Sequence, residues 1–223
     1  MPVDCTIKEV RRYLGMQKAG ADDVLDAEIQ KTISFLQDRV HPASVYRVFP
    51  LTWKDGMPVI AGYLFESHDL ARCLKGCSKA VLLASTLGAE ADRLIRRAQL
   101  RSMSEAALLQ AASAALVESY TDALNRQILD EAKQEGLYGR PRYSPGYGDL
   151  DLSVQRIVFA LLQPEKYAGI VLNQSLLMSP SKSITAIIGL AETEGSVLSL
   201  TVKRAAESLP APTITENDHE TIA

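Results

Sequence analysis

The sequence has no excess of basic charge, no long apolar run, no paired cysteine framework and few histidines. Its 24 Lys and Arg face 27 Asp and Glu, and three of those acids (Glu216, Asp218, Glu220) fall in 210–223, a stretch with no Lys or Arg. Setting that stretch aside leaves 24 of each sign, so the body is electrically balanced. Such a balance argues against a protein that grips a nucleic-acid backbone by bulk charge, because each phosphate contact needs a cation. It leaves room for a local basic site. The apolar run 79–87 has strand length, well short of the roughly 20 residues a bilayer requires. Met1-Pro2-Val3-Asp4-Cys5 lacks the basic start and apolar stretch of a signal peptide, so the expected location is cytoplasmic.

Three cysteines, an odd number, give no disulfide pattern. Cys73 and Cys77 stand as CxxxC without a second pair or a nearby histidine, a poor spacing for zinc, and are expected to be plain thiols. His41, His68 and His219 are scattered, which speaks against a hydrolytic triad or a histidine-based metal site. No GxxxxGK[ST] loop occurs, and Gly146-Tyr147-Gly148 lacks the third glycine of a dinucleotide fingerprint. The lone Trp53 needs no role beyond packing.

What is present is an ordinary folded composition, 47% hydrophobic and 23% charged. Helices are expected over 6–14, capped by Thr6, and over 22–40, where Val24, Leu25, Ile29, Ile33, Leu36 and Val40 recur at helical spacing. Residues 43–53 and 58–61 read as strands joined by Lys54-Asp55-Gly56. Ser67 caps a short helix to Leu74, and 79–86 is a buried strand. Two helices follow, 89–100 and one from a Ser102–Glu105 capping box to about Gln134. After a Gly- and Pro-rich segment, 136–152, come a helix to Gln163 ending before Pro164 and strands over 169–177, 183–190 and 197–203. This order predicts an α+β fold, a mixed or antiparallel twisted sheet packed with long helices. A single domain is expected over 1–209, with 210–223 as a disordered acidic tail.

Chemistry concentrates in two places. The segment Arg140-Pro141-Arg142-Tyr143-Ser144-Pro145-Gly146-Tyr147-Gly148 sets two arginines on a backbone stiffened by proline and bent by glycine. Such a loop can hold a guanidinium ready for a carboxylate or phosphate, with Tyr147 offering an aromatic face. It can equally be a surface turn with solvated arginines. On the long helix, Ala107, Ala111 and Ala114 form a small-residue stripe continued by Glu118, with Asp122 one turn on. Glu118 either points into a cleft, or marks where that face meets water or pairs with Arg126.

Arg142-Tyr143-Ser144-Pro145-Gly146-Tyr147 resembles the Arg-Pro-x-Pro-Gly-Tyr signature of the activation domain of cobalamin-dependent methionine synthase. The segment 169–180, ending Met178-Ser179-Pro180, resembles that family's strand and Met-x-Pro turn, and Glu118-Ser119-Tyr120 lies in a helix like the one preceding the signature. The likeness covers roughly residues 80–190 and only loosely the N-terminal third. It implies S-adenosylmethionine binding through Glu118, Arg142, Ser144 (by its backbone) and Tyr147, and transfer of the ligand's methyl group to cobalamin carried by another protein. The implied partner is a methionine synthase lacking its own activation domain, or another corrinoid protein, with an electron donor such as a flavodoxin or ferredoxin. The strand 183–190 contains no tyrosine where the family carries one against the ligand. That departure supports an alternative, a docking module for a corrinoid protein that does not bind S-adenosylmethionine.

Overall fold

The computed structural model describes residues 5–17 and 20–193. Helix α1 (Ile7–Tyr13) begins at a reciprocal capping box, in which the Thr6 side chain accepts from the Glu9 amide and Glu9 accepts from the Thr6 amide. Asp22 caps α2 (Asp23–Gln37), which stops three residues short of the expected Val40 because the chain turns at Asp38. Strands β1 (Ala43–Lys54) and β2 (Met57–Ile60) flank Asp55 and Gly56, both at positive φ (51° and 80°), the geometry a two-residue hairpin loop needs. After β3 (Tyr63–Leu64), Ser67 caps α3 (His68–Leu74) and the chain enters β4 (Lys79–Thr86). Helices α4 (Ala89–Gln99) and α5 (Met103–Gln134) follow.

Six strands form the main sheet in the order β3-β2-β1-β4-β8-β5, where β5 is Tyr138–Gly139 and β8 is Ser183–Ala191. Every pairing is antiparallel, so the fold is α+β as expected. β4 is buried on both faces, which explains its unbroken apolar run. Ala80, Leu82 and Ala84 pack with Leu70 and Leu74 of α3 and with Val158, Phe159 and Leu162 of α6 (Gln155–Leu162). Val81 and Leu83 pack with Leu124, Ile128 and Ala132 of α5. The 32 residues of α5 span about 48 Å at the α-helical rise. Its first half joins a separate helical core through Leu109, Ala112 and Leu116 against Ile29, Ile33, Leu36, Leu94 and Ile95.

Two expectations change. Residues 169–177 do not form one strand of the main sheet. Only β6 (Val171–Leu172) is extended, paired with β7 (Met178–Ser179) in a separate ribbon. Asn173 closes the intervening turn, its side-chain oxygen accepting from the Leu177 amide. Pro164 also does not simply end a helix; it opens the short α7 (Pro164–Tyr167), where its missing N–H costs nothing. The strand expected over 197–203 and the tail over 210–223 lie outside the described residues. Among the described residues no helix is long and apolar enough to cross a membrane.

Candidate functional site

The segment after α5 runs as an irregular edge against β8. Tyr138 and Gly139 pair with Ala191 and Leu190, and Tyr143 exchanges both backbone hydrogen bonds with Ile187. Between these pairings three residues (140, 141, 142) face two of β8 (188, 189). The extra residue makes a bulge, and Pro141, with no N–H to offer a ladder, sits in it. The consequence is that the two arginines part. Arg140 donates its amide to Gly189 and lies beside Cys77. Arg142 turns to the carboxylates of α5.

Arg142 Nη2 lies 2.6 Å from Glu118 Oε2 and 2.9 Å from Asp122 Oδ1. The arginine side chain is 16% exposed, against 28% for Glu118 and 40% for Asp122. Among the described residues Arg142 Nη1 is buried without a hydrogen-bond partner, as is Asn125 Oδ1 on the next turn of α5. The helix supplies the pair of acids by spacing alone, since residues four apart share a face. Glu118 therefore pairs with Arg142, not with Arg126.

The rest of the loop is fixed from behind. Tyr143 donates its hydroxyl to the Tyr147 carbonyl at 3.1 Å, and burial, with Asp69 and Asp149 nearby, pushes its pKa up to about 12. Asp149 accepts from the Ser67 hydroxyl (2.5 Å) and from the amides of His68 (2.8 Å) and Asp69 (3.2 Å), tying the loop to the start of α3. The Ser67 hydrogen bond, with those amides, holds the Asp149 carboxyl below its ordinary pKa. Ser144 lends its carbonyl to the Tyr147 amide, and the Tyr147 ring is 46% exposed.

Of the four residues singled out from sequence, the fold joins Glu118 to Arg142. Among the described residues, no hydrogen bond or ion pair links the side chains of Ser144 or Tyr147 to that pair. The full grip of Asp122 was missed, although its spacing from Glu118 was the available signal. Glu135, close before the loop, pairs with Lys79 at 3.3 Å and takes no part in the cluster. Cys73 and Cys77 are poorly suited to thiol chemistry: burial pushes both thiols up, Cys73 to about 11, so the reactive thiolate is scarce. Among the described residues no cluster of His, Cys, Asp and Glu could hold a metal ion.

The architecture is that of a reactivation-domain fold. The crystal structure of the MetH reactivation domain bound to AdoHcy aligns with a TM-score of 0.59 over 87% of this chain and 79% of that one, at 18% identity. No protein-family model matches the chain, and no curated protein matches it.

Proposed function

We propose that this chain binds S-adenosylmethionine at the Glu118–Asp122–Arg142 cluster and serves as a stand-alone reactivation factor for cobalamin carried by another protein. The observation that carries the reading is Arg142, drawn by the bulge onto two helix carboxylates and left with Nη1 unpaired. An unpaired buried donor is costly unless a partner arrives, and a ligand carboxylate is the natural partner of a guanidinium. The donor set therefore fits an amino-acid ligand. The cluster carries one positive and two negative charges, and S-adenosylmethionine, with carboxylate, ammonium and sulfonium, carries the opposite net charge. Asp122, the more exposed acid, is the one most readily exchanged for the ligand's carboxylate. That exchange would leave Glu118 beside the ligand's cationic groups. The Ser144 backbone and the exposed Tyr147 ring complete the proposed binding residues.

Bound S-adenosylmethionine supplies an electrophilic methyl group on a sulfonium. The chain's own contribution is to hold and orient that ligand, and proximity accounts for rate without an acid or base. The proposed partner is a cobalamin-binding methionine synthase lacking its own activation domain, or another corrinoid protein, with a flavodoxin or ferredoxin as reductant. The likeness in fold to a domain solved with AdoHcy supports the ligand class.

A second reading has its own observation. Glu118 and Asp122 already neutralise Arg142, as in a purely structural ion pair, which favours a docking module without a ligand. Titration calorimetry separates the two. Saturable heat with S-adenosylmethionine, weakened at least tenfold by Arg142→Ala, supports the binding reading; no heat with the folded wild type leaves the docking module.

A further inference from the structure

Trp53, the chain's one tryptophan, is expected from sequence to be a packing residue, yet it is 42% exposed. It lines an open groove of about 660 Å³ between the β1–β2 hairpin and α3, bordered by Gly56, His68, Ala71, Arg72, Lys75 and Gly76. His68, Ala71 and Arg72 recur at helical spacing and so share one face of α3, and Lys75 follows as the residue that caps its C-terminus. Ala71 makes a low floor beside the indole, and the flanking side chains are cationic or imidazole. Among the described residues no carboxylate lines the groove. Asp69, which pairs with Arg72, is not among the lining residues, and it approaches Gly148 on the loop. Lys75 carries its charge without an ion pair among the described residues.

We propose that this groove is a second binding site, for a planar heteroaromatic ring bearing a phosphate. The ring would stack on Trp53 over Ala71, and Lys75 and Arg72 would take the phosphate. A half-exposed indole beside Lys75, which has no ion pair among the described residues, with the Asp69-paired Arg72 next to it, is poorly used by folding alone. Aromatic stacking and charge-assisted hydrogen bonds are the two interactions such a surface offers a ligand. The site is distinct from the Arg142 cluster and does not depend on the function proposed for it.

The lone tryptophan makes the test direct. AMP should quench its fluorescence saturably and bind at least tenfold more tightly than adenosine, which lacks the phosphate, or inorganic phosphate, which lacks the ring. Lys75→Glu should weaken AMP at least tenfold and leave adenosine unchanged. Arg142→Ala should leave the AMP titration as in wild type. Calorimetry with Trp53→Ala, which removes the fluorescent reporter, should show the same loss, with thermal unfolding confirming that each variant is folded. The proposal fails if AMP gives no saturable quenching, if adenosine matches AMP, if Lys75→Glu has no effect, or if Arg142→Ala abolishes the signal.

Discussion

Gly148 shows how little freedom the loop has at single residues. Its φ is +54°, and a Cβ there would clash with Asp69 Oδ2 and the Tyr143 hydroxyl. Both neighbours are held, Asp69 by Arg72 and Tyr143 by the Tyr147 carbonyl. Gly148→Ala must therefore bear a left-handed backbone and displace a fixed neighbour, at a cost of about 1–3 kcal/mol. Urea unfolding should show the midpoint fall with an unchanged slope. A change within about 0.5 kcal/mol, the range of an ordinary surface substitution, would mean the loop is not pinned this way. The residue scale is also where sequence reasoning stopped short. Glu118 and Arg142 were each identifiable as candidates, but they are 24 positions apart and only the fold makes them a pair. Arg140 and Arg142 could not be told apart, because a one-residue bulge decides which side each takes.

At the scale of elements, Asp149 is the fastener between the loop and α3. Its pKa is lowered in the folded chain, by the Ser67 hydroxyl first and then by the His68 and Asp69 amides. A group whose folded pKa is depressed contributes stability above its unfolded value, near 3.9, and loses it as pH falls through the folded value. Asp149→Asn should accordingly lower stability near neutral pH and flatten the acid limb below about pH 4. Denaturant midpoints measured from pH 7 downward check this; parallel curves for the two proteins would refute it. Elements with strong local signals were legible. Thr6, Ser67 and Ser102 all cap helices where the sequence placed them, and Asp22, read from sequence as the start of its helix, caps it. β4 and β8 start where the apolar runs begin. The failures lie where tertiary pairing decides. Residues 169–177 have strand composition, but the turn at Asn173 folds them onto Met178 and Ser179. Nothing local reveals that Tyr143 bridges to Ile187.

The whole molecule is tied together by α5, which belongs to the helical core through Leu116 and to the sheet core through Leu124 and Ile128. Glu118 and Asp122 sit between those two regions, and Arg142 arrives from the far edge of the sheet. A ligand held between Arg142 and Glu118 would brace the helix, the sheet edge and, through Asp149, the start of α3. Binding to the folded state alone stabilises by RT ln(1 + [L]/Kd), about 2.7 kcal/mol at a hundredfold excess over Kd. For a chain of this size that raises Tm by about 5–10 °C. S-adenosylmethionine should therefore raise Tm and slow amide exchange locally over 142–150 and over the α5 turns around Glu118 and Asp122. Arg142→Ala should cut both effects to about half or less, since a tenfold weaker ligand stabilises by only about 1.4 kcal/mol at the same concentration, and Glu118→Gln should reduce them while keeping the helix. Protection confined to α1 and α2, or a Tm increase undiminished by Arg142→Ala, would place the ligand elsewhere and remove the physical basis for assigning this cluster as the S-adenosylmethionine site.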